Sequence, residues 1–369
     1  MSMNIGFALE YSLGHTTHAQ NLKRVLAARP DITPTHVDLP YAGMTQPWAR
    51  LPGVRSNWSV RASLGAWLGL RRHARALDAA LFHTQVTSLF SPGLMRRVPS
   101  VVSLDATPLQ YDALGAFYGH APSGSARLER LKMRLNRRAF GAARHLVAWS
   151  EWAKASLVAD YGVPADKISV IPPGVDTDRW DFDRTARRPG PVNLLFVGGD
   201  FARKGGDTLL EAFRRLPPGV DAHLHVVTKD VGVAGGLPNV TVWNGVAPNS
   251  GPLLRLFAEA DLFVFPTRGD CLPLAVMEAL ASGLPVVTTD VGALAEAVTH
   301  GETGWVVPPN DPAALAGALE SLVADPAHRA RLSASARAVG RTRFDAARNY
   351  GRLLAAVQAV GTVPARESA

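Results

Sequence analysis

Apolar runs of a few residues, each ending at a polar or glycine-containing turn, alternate along this chain with stretches whose apolar positions recur every three or four residues. The first kind suits strands buried on both faces of a parallel sheet, and the second suits the helices that cover it. Strands are predicted at 4–9, 80–83, 100–104, 145–149 and 168–171, and again at 193–197, 223–227, 240–243, 262–265 and 286–288. Helices are predicted at about 17–28 and 127–138, from Ser150, at 207–216, across 273–283, from Asp311, and at 327–339 and 345–360. The pattern restarts once: 4–9 leads into a loop with Gly14, and 193–197 leads into Gly198-Gly199. Two α/β domains of the nucleotide-binding kind are therefore expected, 1–175 and 192–343, facing each other across a cleft. Residues 176–191 (DTDRWDFDRTARRPGP) have a linker's composition. Residues 41–70, punctuated by Pro and Gly, match no pattern. Trp48, Trp58 and Trp67 suit packing there, with stacking on a sugar or contact with lipid as the other readings. The tail, 361–369, is expected to fray.

The sharpest local pattern spans 262–288. An apolar strand ends in Pro266, and a polar loop, Thr267 to Cys271, follows. Pro273 stands at the first helical position, Met277 and Leu280 supply the apolar stripe, and Gly283 closes the helix before Pro285. In such units ligands bind outside the carboxyl ends of the strands. Asp270 lies in the loop and Glu278 about five residues into the helix, roughly 8 Å along its axis. Two carboxylates so placed can touch different parts of one elongated ligand. Between them, the free N–H groups near Leu274 and Ala275 and the helix dipole suit a diphosphate. The same residues can equally start a helix and solvate its outer face. A second feature is the loop Gly198-Gly199-Asp200-Phe201-Ala202-Arg203-Lys204-Gly205-Gly206. Its backbone N–H groups, with Arg203 or Lys204 above them, suit the same anion, and an exposed basic turn is the plain alternative.

At 369 residues the chain is long enough for two cores, and 47% hydrophobic with 19% charged residues is ordinary for a globular protein. The net charge of +8 suits nucleic acid, anionic lipid or anionic small molecules without choosing among them. No zinc-type spacing of Cys and His points to nucleic acid, which is not expected as a partner. Cys271, the sole cysteine, excludes an intramolecular disulfide framework and fits a reducing compartment. The amino terminus lacks a basic region, Glu10 interrupts its apolar stretch, and no apolar run approaches ~18 residues. A cytoplasmic protein is expected, touching the inner face of the membrane at its surface if at all. The stretch RLERLKMRLNRR (127–138) places Leu128, Leu131 and Leu135 at core-facing spacing, with Arg127, Arg130, Arg134 and Arg137 along a neighbouring stripe. A solvated basic face is expected, and contact with anionic headgroups is the other reading.

Asp270 and Glu278 with seven residues between them, then Ala279, Ala281, Gly283 and Pro285-Val286-Val287, resemble the acidic signature of the retaining glycosyltransferases of family 4, which have the GT-B fold. That family usually has Glu first and Gly-Phe-Gly after it, where this chain has Asp270 and Cys271-Leu272-Pro273. The resemblance covers nearly all of the second domain and scattered points of the first. It implies that Asp270 holds hydroxyls of the transferred sugar and Glu278 the ribose of the nucleotide. Lys204-Gly205 resembles the family's Lys-Gly, and Arg203 stands in for an Arg that the family carries earlier, where this chain has Gly198 or Gly199. Leu13-Gly14-His15 occupies the place of a Gly-Gly pair near the reacting sugar. The stretch 103–108 (SLDATP) resembles the fourth-strand loop, with Asp105 at the strand's carboxyl end, where capping a turn is the plain alternative. Pro173-Gly174-Val175-Asp176 resembles the family's entrance to the linker, and Glu296 matches a family Glu, with a purely structural role as the other reading.

The resemblance thus implies catalytic roles for Asp270, Asp105 and His15, with Gly14, Gly199, Arg203, Lys204, Leu274, Glu278 and Glu296 holding the donor. His18 is the other loop histidine. In a GT-B fold the last helix returns to the first domain, so 344–369 is expected to be a crossover helix and tail. No metal or cofactor is implied. Asp176-Thr177-Asp178 sits in a charged connection rather than at a strand end, which argues against a metal-binding pair. The expected activity is transfer of a hexose from a nucleoside-diphosphate sugar to a hydroxyl of a glycan or lipid-linked acceptor, with retention and without metal. The rivals are a nucleotide-sugar epimerase of the same fold and a non-catalytic phosphate-binding module. A dinucleotide-dependent oxidoreductase is disfavoured, because neither glycine loop reads Gly-x-Gly-x-x-Gly.

Overall fold

The structure, a computed structural model, describes residues 2–12, 14–44, 46–119, 124–182 and 190–362. Leu13, the linker positions 183–189 and the tail positions 363–369 lie outside the described residues. The chain forms two compact units. One contains the described residues of Met1–Ala113, Ala121–Gly174 and Ala346–Ala369, and the other those of Leu114–His120 and Val175–Asp345.

The first unit is built on β1 (Met3–Tyr11), β2 (Ile32–Pro40), β3 (Ala79–His83), β4 (Ser100–Leu104), β5 (His145–Ala148) and β6 (Ile168–Val170). They form one parallel sheet in the order β2-β1-β3-β4-β5-β6. Every residue of β3 and β4 is buried, as their uninterrupted apolar runs require. Alternate residues of β1 serve opposite faces. Ile5, Phe7 and Leu9 pack with Leu22 of the helix His15–Ala27 and with Leu353, Leu354 and Val357 of the last helix, Ala346–Thr362. Ala8 instead joins Phe82, Leu104 and Phe140 on the other face. The last helix therefore returns to the first unit, as the GT-B resemblance implies. There its Tyr350 hydroxyl donates to the Gly174 carbonyl at 3.3 Å.

The second unit repeats the plan with β7 (Val192–Val197), β8 (Ala222–Val227), β9 (Val240–Trp243), β10 (Leu262–Phe265), β11 (Val286–Thr289) and β12 (Gly304–Val307). The order is β12-β11-β10-β7-β8-β9, all parallel. Leu194, Phe196, Leu224, Val226, Leu262 and Val264 form its core with Leu209, Leu315 and Leu319 from the covering helices. Asp311 caps its helix by accepting from the Ala313 and Ala314 N–H groups, the expected chemistry.

Several expectations are corrected. β2 was not predicted because it is an edge strand with only Ile32 and Leu39 buried, and it holds Pro34, which an edge tolerates. Residues 41–70 include a full helix, Trp58–Arg71, hidden by its glycines. A Cβ on Gly69 would lie 2.6 Å from Val37, so glycine there lets the helix approach β2 closely. Residues 176–182 are no spacer: Trp180 is fully buried against Phe257 in the second unit. Pro273 is the extended residue before its helix, Leu274–Ala281, rather than the first helical one. Leu128 and Leu131 do not face the core but are 43% and 47% exposed. The helix Ala126–Ala142 buries Asn136, Ala139 and Phe140, and that stripe lies to one side of the leucines. Among the described residues no helix is long and apolar enough to cross a membrane.

The last helix supplies core, so Leu354→Ala is expected to destabilise the first unit by roughly 2–5 kcal/mol. Hydrogen exchange checks this: amides of β1 and β3 should lose protection while those of β7 and β10 keep theirs.

Candidate functional site

In the second unit the glycine loop after β7 runs onto the end of β10. Gly205 makes the crossing possible: its φ is +74°, and a Cβ there would lie 1.9 Å from the Pro266 carbonyl oxygen. That close approach brings Arg203 and Lys204 to Asp270. Lys204 Nζ lies 3.3 Å from Asp270 Oδ2, and Arg203 Nη1 lies 3.2 Å from Oδ1. The Thr267 hydroxyl donates to Oδ2 at 2.9 Å, so three side chains hold this carboxylate. Arg203 also donates to the Gly269 carbonyl at 2.6 Å and to Asp200 at 3.0 Å, and its guanidinium lies 4.5 Å from the Tyr118 ring centre. With 5% of its side chain exposed, Arg203 is a brace behind Asp270 rather than a group above the loop. Lys204 is the more accessible of the two cations. Burial pushes its ammonium below the usual lysine range, against the pull of Asp270.

The helix Leu274–Ala281 starts beside this cluster, and no side chain caps its first turn. Its early N–H groups, Leu274 among them, keep the positive end of the helix dipole available to an anion. Glu278 stands within the helix, buried, and its carboxylate has no hydrogen-bond or ion-pair partner among the described residues. Burial alone lifts its pKa to about 7. A buried carboxyl without a partner is costly, and a ligand hydroxyl would relieve it. The loop after β11 closes over this region, where Ala293 N–H donates to the Cys271 carbonyl at 2.8 Å. Glu296 follows in the short helix Leu294–Ala297, its backbone carbonyl accepting from Arg343. Gly199 is exposed beside the Lys229 side chain.

In the first unit, side chains gather at the carboxyl ends of β1, β3, β4 and β5. His15 opens its helix with Nδ1 3.1 Å from His83 Nε2 and Nε2 3.7 Å from Asp105 Oδ2. The His83 ring stacks on Trp149 and on His18, whose Nδ1 meets the Tyr350 hydroxyl at 3.2 Å. Burial pushes His18 down to about 3 and His83 well below the usual histidine range, so both rings stay neutral. Burial raises the Asp105 carboxyl, His15 opposes that, and the charge of Glu10 adds to it. Gly14 is exposed, and a Cβ there would meet nothing within 4 Å.

The structure thus gathers Arg203, Lys204 and Asp270 in one unit and His15 with Asp105 in the other. Thr267, Asp200, Tyr118, His83 and Trp149 join them unforeseen. The strand-end rule that singled out Asp105 applies equally to His83, the last residue of a strand read correctly. Among the described residues no group of three His, Cys, Asp or Glu side chains is placed to hold a metal ion.

The bare Glu278 makes a stability prediction. The unfolded chain releases this proton near the ordinary value of 4.5, and the folded one holds it until about 7. Folding is therefore opposed increasingly as pH rises through that window, and Glu278→Gln removes the penalty. The variant should gain on the order of 1–3 kcal/mol over wild type at pH 8 and little at pH 4.5. Urea denaturation at the two pH values measures the difference, and an equal gain at both would contradict the assignment.

Residues 13–179 match the family model described as Glycosyltransferase Family 4, and residues 191–325 match that described as Glycosyl transferases group 1. The D-inositol 3-phosphate glycosyltransferase of Pseudarthrobacter chlorophenolicus is 34% identical over 215 residues, 53% of this chain and 51% of that protein. The chain spans about half the length of the curated relatives it matches. Among solved structures, the sucrose-phosphate synthase of Thermosynechococcus elongatus superposes with a TM-score of 0.74 at 19% identity, covering 97% of this chain and 99% of that one. Anabaena Alr3699/HepE in complex with UDP does so at 0.71 and 16%, covering 97% and 100%. At such identities the structural likeness speaks to the fold, and these likenesses lend the epimerase alternative no support. Two glycosyltransferase family models, one matching each of the two doubly wound parallel sheets, make this chain similar to the glycosyltransferases of family 4 along most of its length, and its fold is that of the GT-B glycosyltransferases.

Proposed function

We propose that the chain is a retaining, metal-independent glycosyltransferase that moves a hexose from a nucleoside-diphosphate sugar to a hydroxyl of a glycan or lipid-linked acceptor. One observation carries the donor assignment. A buried, unpartnered carboxyl at Glu278 and a braced one at Asp270 flank an uncapped helix start with Lys204 beside it. That is a site for an elongated ligand with hydroxyls at both ends and an anion between them. The UDP bound by Anabaena HepE is the natural first candidate for the nucleotide.

In this reading Glu278 accepts from the ribose hydroxyls, and Asp270, held by Arg203 and Thr267, accepts from hydroxyls of the sugar. Lys204 and the N–H groups at 274–275 face the diphosphate. The bond from C1 to the diphosphate breaks with its electron pair leaving on the phosphate oxygen, and that charge is what Lys204 and the helix start stabilise. These fixed charges fill the role that a divalent cation would otherwise take. For retention the acceptor oxygen bonds C1 from the face the diphosphate leaves, and its proton passes to the departing oxygen. Asp105 and His15 orient the acceptor hydroxyl. Gly14, Gly199 and Glu296 complete the donor contacts. The exposed Leu128 and Leu131 beside Arg127, Arg130 and Arg134 favour peripheral contact with an anionic membrane as the place of a lipid-linked acceptor.

A thermal-shift screen across UDP, GDP, ADP and their hexoses identifies the donor, since a ligand stabilises in proportion to its occupancy. With that donor, Asp270→Asn and Lys204→Ala should each lower transfer roughly 10²–10³-fold. EDTA should leave the rate unchanged, and NMR of the product should show the donor's anomeric configuration. Wild-type rates in both variants would overturn the proposal. For the membrane arm, Leu128→Glu with Leu131→Glu should abolish sedimentation with phosphatidylglycerol vesicles.

A further inference from the structure

The first unit holds a second group of side chains that the donor and acceptor assignments above do not use. Tyr41 follows the last residue of β2, at the carboxyl edge of the sheet, and is 57% exposed. Its place is nevertheless fixed. Its N–H donates to the Tyr11 carbonyl at 3.2 Å, and Arg61 Nη2 donates to the Tyr41 carbonyl at 2.6 Å. Its ring lies 5.1 Å from that of Trp58, and the Arg61 guanidinium lies 5.2 Å from the Trp58 ring. Packing accounts for Trp58, which rests on the core and donates its indole N–H to Glu10 at 2.9 Å. Packing does not account for Tyr41: a large ring held by these contacts, with more than half its surface in water, offers a flat apolar face, a shelf, to a ligand.

A chain of hydrogen bonds through Glu10 links the shelf to the acceptor residues. Glu10, buried at the end of β1, accepts from Trp58, from the Ser12 hydroxyl at 2.5 Å and from the Thr84 hydroxyl at 2.5 Å. The Ser12 carbonyl accepts from the His15 N–H at 2.9 Å, and Thr84 follows His83, the partner of His15. Glu10 is also near enough to Asp105 for its charge to be felt there. A neutral ring with an apolar face and hydroxyl edges suits this place. Its C–H face would cover Tyr41, and its edge would reach the Ser12 hydroxyl, which donates to Glu10 and still has lone pairs to offer.

We propose that Tyr41, braced by Arg61 and Trp58, is the surface on which the acceptor's carbohydrate or cyclitol ring stacks, and that it determines acceptor recognition without touching the donor. The proposal rests on the glycosyltransferase reading for the word acceptor, but the binding itself is measurable without donor or turnover. In the full-length protein, methyl α-D-glucopyranoside, methyl α-D-mannopyranoside and myo-inositol are titrated while the ¹⁵N indole resonance of Trp58, assigned by Trp58→Phe, is followed. At least one probe should shift that resonance. Tyr41→Ala should weaken its binding about tenfold, Tyr41→Phe should restore it, and the affinity for UDP should be equal in all three proteins. Failure of every probe to move Trp58, or equal binding by Tyr41→Ala, overturns the shelf. Loss of UDP binding in wild type as well would strike the donor reading and leave the shelf to be judged on the probes alone.

Discussion

A carboxylate between two cations, Asp270 held by Arg203 and Lys204, is the contact around which the second unit's ligand-facing end is arranged. Three separate pieces of chain must meet for it to exist: the turn after β7, the end of β10 and the loop before the helix Leu274–Ala281. None is ordered by local propensity alone. Gly205 lets the first pass within van der Waals reach of the second, and Thr267 and the Gly269 carbonyl tie the third to both. An ion pair this enclosed contributes little net stability, because desolvating the charges offsets their attraction. What it does secure is geometry: a carboxylate held by three side chains keeps one orientation.

Glu278 is the opposite case, a carboxyl of the same helix region left without any such support. The two acids differ in what the chain does for them, and the difference is informative. Asp270 is neutralised by the protein. Glu278 is placed where only something from outside can satisfy it, at a cost to the empty fold. That division matches a ligand whose one end is positioned tightly for chemistry and whose other end supplies binding.

Much of the fold was legible because strands buried on both faces must read as apolar runs. β3, β4 and β10 stand where those runs lie. β2 was illegible for the same reason: an edge strand covered on only part of its surface has no such run, and its Pro34 argues against a strand by the usual rules. The helix Trp58–Arg71 was illegible because its glycines answer to the strand beneath rather than to helix propensity. The spacing of Asp270 and Glu278 was visible in one dimension. The enclosure of Arg203 was not, since adjacent basic residues look alike until one is drawn onto the Tyr118 ring. Leucines at helical spacing likewise do not reveal which side of a helix the core occupies, and Leu128 and Leu131 lie beside it.

The described part of Leu114–His120 belongs to the second unit although the sequence on both sides of it belongs to the first. Its Tyr118 forms the floor under Arg203, and Phe117 lies so close to Gly269 that a methyl group there would collide with it. The two units are consequently interleaved in the gene: a fragment cut at the apparent boundary near residue 175 would carry the loops around Asp270 but leave behind the ring on which one of their charges rests. Any recombination of halves between relatives of this chain would transplant that floor with the wrong partner.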